Sequence, residues 1–164
     1  MKNLFLLRHA KSSWDNAALA DFDRPLSKRG ISNAILLSEH IQKHNITFDL
    51  VLSSPSERTQ STLDLVLSSL DHFPTTTLKE SIYHASPFSL TQLIKEQDDV
   101  INNLLIIGHN PGLHILTEQL TNQSIVKFPT CAFAKITNFN QWKDIDTGIL
   151  NLESLITPKE LNHD

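Results

Sequence analysis

Residues 4–10 read Leu4-Phe5-Leu6-Leu7-Arg8-His9-Ala10, and the interpretation of the whole chain starts from this stretch. Its apolar run has the length of a buried β-strand and ends abruptly at two polar groups. An arginine offers a rigid fork of donors that fits phosphate or carboxylate, and a neutral imidazole offers a nucleophile or a base. Taken alone, the pair is better explained as a surface salt bridge beside a hydrogen-bonded histidine, so other features must converge on it.

Composition limits the possible classes of protein. The 164 residues are 40% hydrophobic and 20% charged, which fits a single globular domain over residues 1–164. A net charge of −4 argues against a nucleic-acid binder, so any anion site must be a local cluster of cations. Cys131 is the only cysteine, which excludes an internal disulfide and a thiolate metal cluster. The apolar run is too short for a signal peptide or a membrane span, so we expect a cytoplasmic protein.

The middle of the chain repeats the pattern of a strand followed by a helix. Ser27 is a plausible helix N-cap, and the apolar residues after it recur at helical spacing. A second strand over residues 48–52 stops at Ser-Ser-Pro, and a helical pattern resumes from Ser56. Arg58 falls in the first turn of that helix, where the helix dipole disfavours a cation unless an anion binds there. We therefore interpret Arg58 as an anion ligand.

The most strand-like run, residues 104–107, ends in Gly108-His109-Asn110-Pro111-Gly112 and so delivers a second histidine at a strand end. Residues 75–78, 132–136 and 149–155 also have strand composition. The alternation predicts a three-layer α/β sandwich whose central sheet is mainly parallel, with one antiparallel edge strand from the C-terminal part. Carboxyl ends of parallel strands share one edge of the sheet, so Arg8, His9, Arg58 and His109 should meet there.

With these residues in place, the sequence resembles the histidine phosphatase superfamily, and more closely its SixA-type branch of phosphohistidine phosphatases. The resemblance covers essentially the whole chain and rests on a series of motifs. They are Leu-Leu-Arg-His-Ala-Lys-Ser-Ser-Trp (6–14), Asp-Arg-Pro-Leu-Ser-Lys-Arg-Gly (23–30), Ser-Ser-Pro (53–55), Gly-His-Asn-Pro-Gly (108–112), Pro-Thr-Cys-Ala (129–132) and Thr-Pro-Lys-Glu-Leu (157–161). The family's Arg-His-Gly triplet reads Arg-His-Ala here, and Asp15 stands where many mutase-like relatives have Asn.

The resemblance implies a phosphoglycerate-mutase-like fold and a role for each site residue. His9 would take the phosphoryl group, and Arg8, Arg58 and His109 would surround its oxygens. Glu80 matches the glutamate that supplies a proton in mutase-like relatives, and a surface carboxylate is an equal alternative for it. Phosphoryl transfer asks mainly for positioning and positive charge, so we expect neither a metal nor a cofactor. His9 should be neutral with a carbonyl or similar acceptor on its other nitrogen, whereas His109 helps most as a cation facing the phosphate.

The remaining histidines and aromatic residues have ordinary explanations. His40 and His44 share a helix face at a spacing that fits a metal, but a solvated face is the commoner outcome without a third ligand. His84 could rim the pocket, and His114 is better explained by packing. Trp14 and Tyr83 could flank the mouth of the site, although packing is the commoner fate of both types.

These features predict a metal-independent phosphatase that works through a phosphohistidine intermediate. The short segment between Arg58 and His109 leaves little room for a capping insertion, so the site should be open to a phosphohistidine on another protein, such as a phosphotransfer domain. We expect a monomer that binds neither nucleic acid nor membrane. The alternatives are a small-molecule phosphomonoesterase and a module that binds phosphoryl groups without cleaving them.

Overall fold

The computed structural model describes residues 1–162, and within them the chain alternates strands with helices. The strands are β1 (Asn3–Arg8), β2 (Leu50–Ser53), β3 (Thr75–Leu78), β4 (Asn103–Gly108), β5 (Phe133–Thr137) and β6 (Asn151–Ile156). The helices are α1 (Lys28–Lys43), α2 (Glu57–Leu67), α3 (Pro87–Lys95), α4 (Gly112–Thr121) and α5 (Pro158–Leu161). Short 3-10 helices lie at Asp21–Asp23, Glu80–Ile82 and Trp142–Thr147. Ser27 caps α1 by accepting a hydrogen bond from the Gly30 backbone N–H, as its sequence position predicts.

All six strands form one sheet in the order β3-β2-β4-β1-β5-β6. The pairs β3–β2, β2–β4 and β4–β1 are parallel, while β5 is antiparallel to both β1 and β6. The predicted mainly parallel sheet with an antiparallel C-terminal part is confirmed. Since β6 lies outside β5, the reversed strand is the second from the edge rather than the edge strand itself.

Helices cover both faces of this sheet because its central strands are apolar on both sides. Successive side chains of a strand point to opposite faces. Accordingly, Leu4 and Leu6 of β1 pack in a core with α3 and α4, whereas Phe5 and Leu7 pack in a second core with α1 and α2. A strand buried on both faces reads as a continuous apolar run rather than an alternating one, which explains the sequence of residues 4–7. The structure therefore has the three layers of the predicted sandwich, with helices on both faces of the sheet.

Strand register brings the polar residues at the strand ends to one level. Arg8 of β1 pairs with Gly108 of β4, so His9 and His109 each follow one member of that pair. Ser53, the last residue of β2, pairs with Ile107 on the other side of β4. The carboxyl ends of β1, β4 and β2 thus form one edge of the sheet, on which the predicted site lies. Within residues 1–162, every helix is too short or too polar to cross a lipid bilayer.

Candidate active site

A cleft of about 280 Å³ lies at the carboxyl ends of β1, β2 and β4. The structure brings all four residues that were expected to converge into its lining: Arg8, His9, Arg58 and His109. His9, Arg58 and His109 are buried, and the rings of the two histidines lie 5.2 Å apart between centroids. Two imidazoles therefore lie at the bottom of the cleft, and the arginine side chains form its sides.

His9 is held in one orientation by the backbone of the next residue. Its Nδ1 lies 2.7 Å from the carbonyl oxygen of Ala10, an acceptor of the kind expected for it. Burial, together with the charges of Arg58, Arg8 and Arg24, lowers the pKa of His9 from 6.5 to about 4, although the hydrogen bond to the Ala10 carbonyl raises it. The ring is thus neutral at neutral pH. A neutral ring that donates from Nδ1 leaves the lone pair on Nε2, and Nε2 is the nitrogen available for attack.

His109 is held by Ser54, the residue that follows β2. Its Nε2 lies 2.8 Å from the buried Ser54 hydroxyl, while its Nδ1 is buried without a hydrogen-bond partner in the part of the chain that the structure describes. Burial, with help from the neighbouring His9 and Arg58, lowers the pKa of His109 from 6.5 to about 3. His109 is therefore neutral in this structure, whereas its expected contribution to phosphate binding is greatest as a cation. A bound phosphate dianion beside the ring would act in the opposite direction and favour its protonation.

The two predicted arginines have different partners. Arg8 donates from Nη1 to the carbonyl oxygen of Phe128 at 3.2 Å, and its buried Nε has no partner within residues 1–162. Burial and the nearby charge of Arg58 lower the pKa of Arg8, but a guanidinium still keeps its proton. Arg58 donates to both the carbonyl oxygen and the carboxylate of Asp21, at 2.7 and 3.0 Å. Arg58 is thus fixed by a residue from the other side of the cleft.

Asp21 belongs to residues 11–26, which we call the covering segment because it crosses the carboxyl end of the sheet. Its two ends meet where Ser12 pairs with Leu26. The segment supplies a cation that the sequence analysis missed: Arg24 is buried, lines the cleft and pairs with the Asp21 carboxylate at 3.1 Å. The signal was present, because an arginine in Asp-Arg-Pro lies within a motif that was recognised but was assigned no role.

Three ring side chains surround the mouth of the cleft. Trp14 and His84 both line it. The ring of Tyr83 contacts both neighbouring imidazoles, at 4.0 Å from that of His84 and 5.4 Å from that of His109. The Tyr83 hydroxyl donates to the Asp21 carboxylate at 2.6 Å. Trp14, for which packing was the commoner expectation, thus lies at the cleft together with His84, whereas Tyr83 is half-buried behind them and is not one of the lining residues.

Other candidate residues lie outside this lining. Glu80 and Asp15 are exposed and are not among the residues that line the cleft, so a proton-donor role for Glu80 stays a prediction. The rings of His40 and His44 lie 4.1 Å apart on α1, but no group of three metal-ligating side chains exists within residues 1–162. His114 is half-buried, with Nε2 3.2 Å from the carbonyl oxygen of Ile125.

This arrangement is suited to a tetrahedral oxyanion. Within residues 1–162, one carboxylate, that of Asp21, pairs with Arg24 and Arg58, so the three arginines give the cleft an excess of positive charge in a chain of net charge −4. Buried guanidinium groups form short, charge-assisted hydrogen bonds with phosphate oxygens. A neutral imidazole nitrogen on the floor of such a site can attack a bound phosphorus atom.

Comparisons with known proteins agree with this chemistry. The family model described as the histidine phosphatase superfamily (branch 1) matches residues 4–83. An uncharacterized chloroplastic protein of Arabidopsis thaliana is 32% identical over 96% of this chain and 78% of its own. Among solved structures, a protein of Agrobacterium tumefaciens designated phosphohistidine phosphatase SixA is 23% identical, with a TM-score of 0.84 over 96% of this chain and 98% of its own. An Escherichia coli protein designated α-ribazole-5'-P phosphatase is 20% identical, with a TM-score of 0.69 over 96% of this chain and 97% of its own. Both of these structures share the fold of this chain.

Proposed function

Because this chain belongs to the histidine phosphatase superfamily, we propose that it is a phosphatase that removes the phosphoryl group from a phosphohistidine on another protein. The observation that carries the proposal is the state of His9. Its ring is neutral, its Nδ1 is engaged by the Ala10 carbonyl, and its Nε2 is left to react in a cleft lined by arginines. A nucleophile needs this combination of lone pair, fixed tautomer and adjacent positive charge.

The proposed reaction has two steps. First, Nε2 of His9 attacks phosphorus, the bond from phosphorus to the substrate imidazole breaks, and that imidazole leaves as a neutral ring after taking one proton from solvent. Second, water attacks the phosphorus on His9, the bond from Nε2 to phosphorus breaks, inorganic phosphate leaves, and the water returns one proton to solvent. Attacking and leaving atoms lie roughly in line in such transfers, so the leaving group departs on the side away from His9.

The arginines perform the electrostatic part of the reaction. Negative charge spreads over the three outer oxygens of the phosphoryl group in the transition state. Arg8, Arg24 and Arg58 surround the place where those oxygens would lie, and they are already held in position by Phe128 and Asp21. Donors that are fixed before the reaction need no reorganisation during it, which is the usual source of large rate enhancements.

The openness of the cleft favours a substrate that is itself part of a protein. The segment between α2 and β4 is used for β3, a short 3-10 turn and α3, and α3 packs on a sheet face with α4 and the turn at Trp142–Thr147. Of the described residues between α2 and β4, His84 alone lines the cleft, so this segment supplies a rim residue rather than a second domain. A histidine on the surface of a phosphotransfer domain could therefore reach His9.

A small-molecule phosphomonoesterase is the second candidate, because the fold is shared with a protein designated α-ribazole-5'-P phosphatase. The variant Glu80→Gln separates the two candidates. An alkoxide leaving group needs a proton donor more than an imidazole does. A phosphomonoesterase should lose most of its turnover of alkyl phosphates in this variant, whereas a phosphohistidine phosphatase should lose little turnover of a phosphorylated carrier. Glu57→Gln, an exposed glutamate on α2, is the matched control.

Rapid-quench labelling tests the proposal directly. The enzyme is mixed with a carrier protein labelled on its phosphohistidine, in the presence of chelator, and the label that stays on the enzyme is mapped. We expect acid-labile, base-stable label on His9 that is absent from His9→Ala and retained in His44→Ala, which changes an exposed histidine at the end of α1. Binding of the carrier without label transfer would favour the non-catalytic module. Turnover that disappears in chelator would contradict the metal-independent mechanism.

A further inference from the structure

Two flat rings stand at the mouth of the cleft, and the reaction described above gives neither of them a role. The indole of Trp14 is 75% exposed although it lines the cleft. The imidazole of His84 is also exposed, and its ring lies 6.3 Å from that of His109. Exposed aromatic surface at a cleft, held in a fixed position, is a common mark of a ligand contact.

One face of the Trp14 ring is covered by a buried cation. The Arg24 guanidinium carbon lies 3.1 Å from the centroid of the indole, a cation–π arrangement. Arg24 is itself fixed, because its Nε donates to the carbonyl oxygen of Ser13 at 3.2 Å and its Nη1 pairs with Asp21 at 3.1 Å. The indole is therefore a supported platform whose other face is open.

His84 is supported in the same way by its neighbour. Its ring lies 4.0 Å from the ring of Tyr83, whose hydroxyl is bonded to Asp21. The backbone of His84 has a φ of 57°, in the left-handed region that histidine adopts more often than most residues with a side chain. Asp21 thus anchors the supports of both rings.

We propose that Trp14 and His84 form a leaving-group subsite that stacks against a planar ring, and that the ring is the imidazole of the phosphohistidine. The assignment to phosphohistidine rests on the function proposed above. His9 lies on the floor of the cleft, so an in-line transfer expels its leaving group towards the mouth, where the two rings lie. Planar π systems gain from offset stacking, whereas the alkyl chain of a phosphoserine or a sugar phosphate offers no flat face. Trp14 and His84 would then be specificity-determining residues.

Two phosphonates that the enzyme cannot hydrolyse test the subsite without relying on turnover. Phenylphosphonate carries a planar group and ethylphosphonate an alkyl group, and calorimetric titration gives a Kd for each. We expect the folded protein to bind phenylphosphonate roughly tenfold more tightly, and Trp14→Ala and His84→Ala each to reduce this preference roughly threefold to fivefold. The ratio of the two constants is used because removing Trp14 also frees Arg24, which weakens binding of both anions alike.

Two further variants complete the test. Trp14→Phe keeps a flat ring and should retain most of the preference, whereas Phe73→Ala removes an exposed aromatic ring before β3, at the opposite edge of the sheet, and should leave it unchanged. A preference that survives in both Trp14→Ala and His84→Ala, or that is absent from the parent protein, would overturn the subsite. Label on His9 together with an unchanged preference would refute the subsite alone, and absence of label on His9 would refute the proposed function.

Discussion

Arg58 donates two hydrogen bonds to Asp21, one to its carbonyl oxygen at 2.7 Å and one to its carboxylate at 3.0 Å. The carboxylate also accepts from the Tyr83 hydroxyl and from Arg24. These hydrogen bonds, that of Tyr83 foremost, hold the pKa of Asp21 well below its usual range, so the carboxylate keeps its charge throughout the working pH range. The Asp21 carboxylate is thus an anion already paired with two of the guanidinium groups that a phosphate would use.

Asp21→Asn should therefore strengthen binding of inorganic phosphate. The amide keeps the shape of the side chain but removes a negative charge near the incoming dianion. Because Asp21 is partly exposed and screened by solvent, we expect a modest effect, about threefold in the inhibition constant at low salt and less at high salt. Asp23→Asn is the control, since the Asp23 side chain makes no hydrogen bond or ion pair within residues 1–162. Equal tightening in both variants would indicate a general charge effect instead.

Ser54→Ala should impair the reaction through His109. The variant leaves the buried Nε2 of His109 without its 2.8 Å partner, so the ring can rotate away from the phosphate. We expect kcat/KM for a phosphorylated substrate to fall about tenfold while the protein stays folded. Ser61→Ala removes a serine of α2 whose hydroxyl donates to the exposed Glu57 side chain, and it should behave like the parent protein. Unchanged kcat/KM in Ser54→Ala would show that the hydroxyl does not position His109.

Acid should destabilise the fold through His9. Its pKa is about 4 in the folded protein and 6.5 as its ordinary value, so between these values the unfolded chain binds a proton that the folded chain does not. Stability consequently rises with pH up to about 6.5 and is lost as pH falls towards 4. Urea unfolding at pH 5 and pH 7 should differ by about 2 kcal/mol more in the parent than in His9→Gln. His44→Gln should retain the parent's slope, and an equal slope in His9→Gln would contradict the assignment.

Gly30→Ala should disturb the covering segment from outside the cleft. A Cβ on Gly30 would overlap the carbonyl oxygen of Lys11, which accepts from both the backbone N–H and the hydroxyl of Ser27. Backbone must move to relieve this overlap, so we expect a loss of about 1–3 kcal/mol in the free energy of unfolding. Ser32→Ala, on the exposed face of α1, should change it by less than about 0.5 kcal/mol. A stable Gly30→Ala would show that the segment can shift without cost.

The convergence of the four cleft residues was predictable because each follows a local rule. Arg8, His9 and His109 come directly after apolar runs that form parallel strands, and Arg58 lies in the first turn of a helix that follows another such strand. Parallel strands place their carboxyl ends at one edge, so strand identity was enough to bring these residues together.

The parts that sequence reasoning missed depend on packing in the folded chain rather than on a periodic local pattern. Arg24 lies in a stretch without helical or strand periodicity, and its burial follows from packing against Trp14 and Asp21. The neutrality of His109 likewise follows mainly from burial, which no local pattern reveals. Motifs therefore located the cleft, while the charge state of its groups became visible only when the tertiary structure was known.

The pairing of β1 with β4, in which Arg8 is opposite Gly108, predicts which parts of the cleft open locally and which open only when the protein unfolds. These strands lie in the centre of the sheet, and their amides can exchange with deuterium only when the whole molecule opens. Residues 14–23 are exposed, so their amides should exchange through small local fluctuations. Hydrogen exchange should accordingly show fast exchange in the covering segment and slow exchange in β1 and β4, whose amides are exposed only on global unfolding.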